Sequence, residues 1–455
     1  MRFIAEHQRN IAFDLLRIKR RGLSLTKCFV EKEPVMIYGL GFLGKELYSE
    51  LKGWVNVTGF IDRAHDMEFY EDVPVFSIDN TNLTDMFQKN KKVKIIVTVL
   101  SAWNEISNAL KRRFSNAVPL SMYSLTSFLK LEYFDNINSK QGLAIEIVRN
   151  MIFDKEVTID KIVLVGTSYT ELLSILILPN WQNTLYIAER FFPASIVKKM
   201  TEFNIPCLYE EEPGEFYDIT YLIAEYAIRK KIPIYGHDHM ALSRAFFKNP
   251  INVIEDGDAN YDFRHAETYK NFLDNGEKYL PFGFHESVSK VILTGLMDIP
   301  AEIAGKVECI NPSQLWDRKS EIEKKLISYI FHFPYLELLD MVRDGRDILF
   351  LTEAYAHVNG DNVVSIEKVI SLYRKILANY DKKKIIIKPH PSDCIRYEQF
   401  MPEYCTISKN FPIQLIKWSG IPIKKVVLMH GTTCMHVFKE GYDVDVYNKN
   451  YFNAN

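Results

Sequence analysis

Two adjacent carboxylates and a glycine end an apolar run abruptly, since Glu255, Asp256 and Gly257 come directly after Val253-Ile254. Repulsion between neighbouring carboxylates raises one pKa, and this suits a general base that takes a proton from a hydroxyl group. A glycine permits a sharp turn and leaves room for a substrate. The alternative is an acidic loop that caps the helix after it. The segment therefore predicts a candidate base that follows a strand.

A second cluster places a histidine between two prolines, in Lys388-Pro389-His390-Pro391 after the apolar run that ends at Ile387. Proline fixes φ and removes a backbone donor, so this turn is expected to be stiff. A stiff pair of basic side chains suits a nucleotide phosphate, and His390 can stabilise a departing phosphate. The alternative is a rigid surface turn with a solvated histidine.

A third cluster is His430-Gly431-Thr432-Thr433, which follows the apolar run that ends at Met429. Free N–H groups at a helix N-terminus bind phosphate, and the threonine hydroxyls add donors. An ordinary hydroxyl cap of the helix is the alternative. The segment is interpreted as a second phosphate contact.

Other polar residues are expected at strand ends, where an ordinary turn between strand and helix is the preferred interpretation. Thr352 and Glu353 lie where a nucleotide base or ribose would sit. Gly166-Thr167-Ser168 follows another strand. For Gly236-His237-Asp238-His239, a role on the side of the acceptor substrate, or a structural role, is preferred to a metal site. No metal is expected, because the sequence has neither a convincing DxD loop nor a His/Cys ligand set.

Near the N-terminus, Gly39, Gly41 and Gly44 follow a strand and open a helix, and Asp62 ends the next strand. This is the dinucleotide-binding fingerprint with its acidic partner. The stretches Ile37–Gly44 and Gly59–Asp62 also resemble the nucleotide-sugar-binding front domain of some bacterial sugar acyltransferases. The alternative is an accessory Rossmann-like domain whose glycines serve tight packing.

Short apolar strands alternate with amphipathic helices, which predicts an α/β fold with parallel sheets. Three domains are expected: an N-terminal Rossmann-like accessory domain in residues 1–135, and two Rossmann-like domains of a GT-B transferase in residues 136–325 (acceptor side) and 326–455 (nucleotide donor side). Asp317–Lys325 is expected as a connecting helix. Strands are expected at Val35–Tyr38, Val57–Ile61, Lys161–Val165, Ile251–Ile254 and Lys425–Met429.

Composition excludes several classes of protein. The 455 residues are 47% hydrophobic with a formal charge of −2, so general nucleic-acid affinity is not expected. Six scattered cysteines without a CxxC pair suggest neither disulfides nor zinc, and favour the cytoplasm. Neither a signal peptide nor a membrane-spanning segment is predicted. The basic run Arg17–Arg21 leaves peripheral membrane contact open, although a solvated helix end is preferred.

Three clusters follow one another along the chain: the acid pair Glu255-Asp256, the KPHP turn Lys388–Pro391 and the HGTT segment His430–Thr433. Their order resembles that in bacterial GT-B sialyltransferases, over roughly residues 155–445. The nearest resemblance is to the lipooligosaccharide sialyltransferases of glycosyltransferase family 52, with polysialyltransferases as relatives. It implies an inverting, metal-independent transfer from CMP-sialic acid to a glycan or glycolipid acceptor in lipooligosaccharide, capsule or O-antigen. No further cofactor is expected.

The same resemblance implies roles for individual residues. Asp256 is the expected base, and His390 assists departure of the CMP phosphate. The expected donor-binding residues are Lys388, Pro391, His430, Gly431, Thr432, Thr433, Thr352 and Glu353. The expected acceptor-side residues are Glu255, Gly257, Gly166, Thr167, Ser168, His237 and Asp238.

Two alternatives remain open at this stage. A CMP-Kdo transferase or a CDP-polyol phosphate transferase has a similar pocket with a different donor. In another class, the chain is an NAD(P)- or nucleotide-sugar-binding protein that acts through Gly39, Gly41, Gly44 and Asp62. The acceptor, the linkage and the oligomeric state are not determined by the sequence.

Overall fold

The computed structural model describes residues 34–53, 55–63, 67–90, 92–99, 102–122, 124–125, 127, 131, 141–152, 155–210, 216–272, 278–355, 364–391, 393–429, 434–439 and 441–447. The basic run Arg17–Arg21 and the turn His430–Thr433, both singled out above, lie outside these residues. The described residues form two compact units. The first comprises those up to Thr158 together with Phe216–Lys230, and the second comprises the remainder.

The first unit contains a six-stranded sheet in the order β3-β4-β2-β1-β5-β6. Its strands are β1 (Val35–Tyr38), β2 (Val57–Ile61), β3 (Phe69–Tyr70), β4 (Val73–Phe76), β5 (Val93–Val97) and β6 (Ala117–Ser121). All pairings are parallel except β3 with β4. The order from β4 to β6 is that of a Rossmann sheet, whose ligands bind beyond the carboxyl ends of the strands.

Helices cover both faces of this sheet, which explains why β1 is apolar at every position. One apolar cluster packs α1 (Phe42–Leu51) against the sheet, and another packs α2 (Thr81–Lys89) and α3 (Trp103–Arg113) against the other face. The helices α4 (Gly142–Ile152) and α7 (Tyr217–Lys230) pack against each other in the same unit.

The second unit contains two parallel sheets. The seven-stranded sheet has the order β15-β14-β11-β10-β7-β8-β9. Its strands are β7 (Lys161–Val165), β8 (Thr184–Ala188), β9 (Cys207–Tyr209), β10 (Ile234–Gly236), β11 (Ile251–Ile254), β14 (Val288–Leu293) and β15 (Val307–Cys309). Its helices are α5 (Ser168–Ile177), α6 (Ala194–Glu202) and α8 (Phe263–Thr268), and a small antiparallel pair, β12 (Asn271–Phe272) and β13 (Lys278–Tyr279), lies beside it in sequence.

The five-stranded sheet has the order β18-β17-β16-β19-β20. Its strands are β16 (Ile348–Leu351), β17 (Ile385–Lys388), β18 (Cys405–Thr406), β19 (Lys425–Met429) and β20 (Asp443–Tyr447). The helices in this part are α11 (Tyr335–Arg343), α12 (Ile366–Leu377), α13 (Tyr397–Phe400), α14 (Gln414–Trp418) and α15 (Cys434–Phe438). One apolar cluster includes side chains from both sheets, among them Val165 and Leu349, so the two sheets share a core.

The predicted α/β class with parallel sheets is confirmed, and the five strands named above have the expected bounds. The expected connecting helix Asp317–Lys325 is wrong. The chain instead forms α9 (Pro312–Arg318) and α10 (Glu321–Ile330), because Ser320 and Glu323 make a capping box that starts a new helix. The three-domain division stays a prediction.

Candidate active site

The acid pair lies at the carboxyl edge of the seven-stranded sheet, directly after β11. Neighbouring strands bring other polar residues to this edge: Thr167 follows β7, His237 follows β10 and Thr294 follows β14. Because parallel strands end on the same side, residues distant in sequence converge there.

Glu255 is fully buried and serves as a hub of hydrogen bonds. Its Oε1 accepts from the hydroxyls of Tyr169 (2.5 Å) and Thr294 (2.8 Å), and its Oε2 accepts from Tyr261 Oη and Thr294 N, both at 2.6 Å. Burial raises the pKa of this carboxyl, although the donors oppose the shift. Glu255 therefore joins the ends of β11 and β14 to helix α5 and to the turn Gly257–Tyr261, and the acceptor-side role expected for it stays a prediction.

Asp256 points away from this hub and is 18% exposed. Its Oδ1 accepts from Thr167 Oγ1 at 3.1 Å, and its backbone N–H donates to Asn260 Oδ1 at 2.6 Å. Burial alone raises the pKa of the Asp256 carboxyl, but His237, His239 and the Thr167 hydroxyl together lower it well below its usual range. The carboxylate is therefore ionised near neutral pH and accessible to solvent.

His237 is held in one tautomer. The backbone N–H of Gly166 donates to its Nδ1 at 3.2 Å, so Nε2 carries the hydrogen of the neutral ring. That Nε2 lies 2.5 Å from Thr170 Oγ1 and 3.4 Å from Asp256 Oδ1. A Cβ on Gly166 would lie 2.9 Å from Nδ1, so glycine is needed for this close approach.

His239 faces the other oxygen of Asp256, with 3.4 Å between its Nε2 and Oδ2. Burial, assisted by His237, lowers the pKa of His239 to about 3 although Asp256 raises it. Its ring lies between those of His237 and Phe282, with centroid distances of 4.7 and 4.4 Å. The ring is therefore neutral near pH 7 and fixed on two sides.

Asp238 turns away from Asp256 and is fully buried. It accepts from the backbone N–H groups of Phe282 (2.7 Å) and Gly283 (3.0 Å) and from Tyr279 Oη (3.3 Å). Burial raises its pKa to about 6. The oxygens of Asp238 accept hydrogen bonds from this turn, and the acceptor-side role expected for the residue stays a prediction.

Three further residues expected on the acceptor side, Thr167, Ser168 and Gly257, lie next to the acid pair in sequence or at the start of helix α5. Thr167 caps helix α5 and also donates to Asp256, so it belongs to the site. Ser168 is half-buried in the first turn of that helix. Gly257, with φ of 70°, occupies the left-handed region that favours glycine and starts the short turn Gly257–Tyr261.

The KPHP turn follows β17 in the five-stranded sheet. Lys388 is 3% exposed, and its Nζ donates to the carbonyls of Pro389 (3.0 Å) and Lys409 (3.1 Å). Burial lowers its pKa to about 7. These bonds direct the ammonium group into the protein, where it braces the turn, and the donor-binding role expected for Lys388 stays a prediction.

A buried chain of hydrogen bonds holds His390. Its backbone N–H donates to Thr352 Oγ1 at 3.0 Å, and that hydroxyl donates to Asp393 Oδ2 at 2.9 Å. Tyr397 Oη also donates to Asp393 Oδ2, at 2.6 Å. Burial lowers the pKa of the half-buried His390, so its ring is neutral near pH 7.

Of the other residues expected on the donor side, some are hydrogen-bonded within the protein and one is exposed. Thr352, 4% exposed, accepts from the backbone N–H of His390 and donates to Asp393, and its expected nucleotide contact stays a prediction. Glu353 exchanges backbone hydrogen bonds with Tyr373 Oη at 2.9 and 3.2 Å. Pro391 is exposed. His430, Gly431, Thr432 and Thr433 lie outside the described residues.

Several partners were missed by sequence reasoning. Tyr169, Tyr261 and Thr294 complete the Glu255 hub, and Asp393 supports the KPHP turn. Asp393 stands three positions after His390, a spacing typical of a polar turn, and this was the available signal. The other three come from separate elements, so no local pattern marks them.

The glycines of the first unit differ in whether the local backbone requires glycine. Gly39 has φ of 101°, and a Cβ on Gly44 would lie 1.9 Å from the Gly39 carbonyl oxygen, so the turn itself requires both. Gly41 has φ of −72°, and nothing lies within 4 Å of a Cβ built there. Asp62 Oδ2 accepts from Leu40 N at 2.6 Å and fixes the turn.

Among the described residues, His237, His239 and Asp256 are the group whose donor atoms could hold a metal ion, since these atoms lie within 4.8 Å of one another. His237 suits this poorly, because its Nε2 carries the ring hydrogen while Nδ1 accepts from Gly166. Within the described part of the chain, no helix has the length and apolar character needed to cross a membrane.

Comparison with known proteins identifies relatives of part of the chain. Residues 217–448 match the family model of glycosyltransferase family 52. An uncharacterized protein of Haemophilus influenzae is 29% identical over 212 residues, which cover 46% of this chain and 67% of that protein.

Three solved structures show weaker likeness. An α/β-galactoside α-2,3-sialyltransferase from Photobacterium phosphoreum has a TM-score of 0.36 at 11% identity, with 91% of each chain covered. The GT-B domain of a Photobacterium damselae sialyltransferase has a TM-score of 0.41 at 12% identity, covering 60% of this chain and 87% of that one. A further sialyltransferase structure from that species gives 0.44 at 11%, covering 63% and 74%. Likenesses of this size carry no conclusion about substrate.

Proposed function

The chain belongs to glycosyltransferase family 52, and from this we propose that it transfers sialic acid from CMP-sialic acid to a hydroxyl group of a bacterial surface glycan. The matched region, residues 217–448, includes both the acid pair and the KPHP turn. The observation that carries the proposal is Asp256, an ionised and partly exposed carboxylate at the carboxyl edge of a parallel sheet.

The proposed reaction is a single inverting displacement. Asp256 takes the proton of the acceptor hydroxyl as the acceptor oxygen attacks the anomeric carbon. The bond between that carbon and the CMP phosphate oxygen breaks, and its electron pair leaves with the phosphate. His390 is neutral, so it donates an N–H hydrogen bond to the departing phosphate and leaves the proton count of CMP unchanged.

The proposal includes no metal ion. It is supported by the donor set at Asp256, where the hydrogen on His237 Nε2 leaves at most two ligands, His239 and the carboxylate. Two ligands fall short of the three that catalytic zinc sites use. CMP leaves as a phosphate monoester, whose charge protein hydrogen-bond donors can stabilise.

The test measures CMP release from CMP-sialic acid, with and without a galactose-terminated acceptor, in the presence of a chelator. Acceptor-stimulated release supports the proposal, and Asp256→Asn is the matched inactive control. Release from CMP-Kdo, or turnover of a CDP-polyol, without release from CMP-sialic acid would instead support the alternative donors. Activity that disappears with chelator and returns with a divalent cation would overturn the metal-independent step.

A second proposal concerns the first unit, as a nucleotide- or nucleotide-sugar-binding element. It is supported by Gly41, which lies at the turn where Rossmann proteins hold phosphates. Neither the φ of this residue nor the packing around it requires glycine. A cavity of about 640 Å³ in the same unit is lined by Arg63, Arg112 and Arg113, and Arg113 is paired there with Asp79 at 2.6 Å. Thermal shift with NAD, NADP and UDP-sugars tests it, and no shift with any of them would contradict it.

A further inference from the structure

Asp256 has an imidazole on each side, and the general-base role alone does not explain either one. His237 Nε2 lies 3.4 Å from Oδ1, and His239 Nε2 lies 3.4 Å from Oδ2. The carboxyl thus has a nitrogen facing each oxygen, and Thr167 donates a further hydrogen bond to Oδ1.

The two histidines differ in what their remaining nitrogens do. Nδ1 of His237 accepts from Gly166, so its Nε2 is a fixed donor. His239 is neutral, and its Nε2 faces an anionic oxygen. A nitrogen lone pair facing a carboxylate is repelled, so the tautomer with hydrogen on Nε2 is favoured. His239 therefore presents an N–H group to Asp256, whereas the nearer acceptor for the Nε2–H of His237 is Thr170 Oγ1, at 2.5 Å.

His239 is itself positioned by residues that contact no reacting group. Its ring packs against Phe282, with the planes inclined by 30°. Phe282 has φ of 61°, a conformation that a bulky residue seldom adopts without support. The buried Asp238 supplies that support by accepting the N–H groups of Phe282 and Gly283. A continuous path of contacts thus leads from Asp238 through Phe282 to His239 and Asp256.

We propose that His239 is a positioning residue, whose Nε2–H holds Oδ2 of Asp256 and so keeps the base in one orientation. This inference rests on the proposed function, in which Asp256 takes the acceptor's proton. A carboxylate with a fixed orientation reacts without the reorganisation that a mobile one requires. Thr167 donates to the other oxygen.

Replacing His239 by glutamine or by leucine distinguishes the positioning role from direct proton transfer by the imidazole. The amide nitrogen of glutamine can take the place of Nε2 as a donor, but glutamine cannot accept a proton as imidazole does. Leucine fills the space without any donor. We expect His239→Leu to lower kcat roughly 10- to 100-fold with KM nearly unchanged, since a hydrogen bond to a charged group is lost. We expect His239→Gln to retain most of kcat.

His265→Gln is the matched control, because the His265 ring also packs near Phe282, at 5.0 Å, without an ion pair to Asp256. Its kcat should equal that of the wild type. A His239→Gln variant as slow as His239→Leu would overturn the proposal in favour of a direct proton role for the imidazole. A His239→Leu variant with wild-type kcat would show that the contact is unimportant.

A measurement without substrate separates this inference from the proposed function. In ¹³C NMR, the Asp256 carboxyl should titrate at higher pH in His239→Leu than in the wild type, because one donor to the anion is lost. The titratable groups that face Asp256 are His237 and His239, while Glu255 faces the tyrosine and threonine hydroxyls. An unchanged titration would overturn the positioning role even if the enzyme proved to use another donor sugar.

Discussion

The hydroxyl of Tyr169, in the first turn of α5, donates to Oε1 of Glu255 at the end of β11 over 2.5 Å. The ring of the same tyrosine lies 6.0 Å from that of Trp418 in α14, which belongs to the five-stranded part. Tyr169 therefore joins the strand-end network of one sheet to a helix of the other. Of the two adjacent carboxylates, Glu255 maintains this framework and Asp256 is the one left accessible.

Tyr169→Phe is expected to lower the free energy of unfolding by about 1–3 kcal/mol, because the buried Glu255 loses a donor. Urea denaturation measures the change. Tyr335→Phe, at a half-buried residue in the first turn of α11, is the control and should be close to neutral. Equal stability of Tyr169→Phe and the wild type would show that the hydroxyl contributes nothing to the hub.

Asp256→Asn is expected to lower kcat by about 10²- to 10⁴-fold, because the amide cannot take the acceptor's proton. CMP affinity should be nearly unchanged, since the phosphate contacts are proposed at the KPHP turn. Asp258→Asn, two positions later and exposed, is the matched control and should keep wild-type turnover. The measurements are steady-state kinetics and calorimetric titration with CMP. Near-normal turnover of Asp256→Asn would refute the base assignment.

Lys388 should make stability depend on pH. Its folded pKa is about 7, against 10.5 for the unfolded side chain, so between these values the unfolded chain binds one more proton. The contribution of Lys388 to the free energy of unfolding should therefore rise with pH across this window. Lys388→Met should remove that rise, whereas Lys384→Met, at an exposed residue, should preserve it. Chemical denaturation at several pH values measures this, and parallel curves for wild type and Lys388→Met would contradict it.

Alanine substitutions of Gly44 and Gly41 in the first unit should have different effects on stability and on ligand binding. Gly44→Ala is expected to cost about 3 kcal/mol or more, because its Cβ would lie 1.9 Å from a backbone oxygen. Gly41→Ala should change stability by less than about 1 kcal/mol, since its φ suits alanine and the space is open. If the turn holds a phosphate, Gly41→Ala should nonetheless abolish the thermal shift produced by the nucleotide. A large loss of stability in Gly41→Ala would show that the glycine serves packing instead.

Local patterns were enough to predict the strands and the residues that end them. Val35–Tyr38, Lys161–Val165 and Ile251–Ile254 are apolar at nearly every position, because both faces of a parallel sheet are covered. Polar residues after such runs must lie at one edge of the sheet. That reasoning located Asp256 and His390 without knowledge of any contact.

The sequence by itself determined the α/β class and the sheet edges at which the acid pair and the KPHP turn lie. Only the tertiary structure decided that Glu255, Asp238 and Lys388 support the framework, while Asp256 is accessible between two imidazoles. The physical reason is that the role of a charged side chain depends on its burial and on donors from other strands. Tyr169, Thr294 and Phe282 come from separate parts of the chain, and only folding brings them to the acid pair and its histidines.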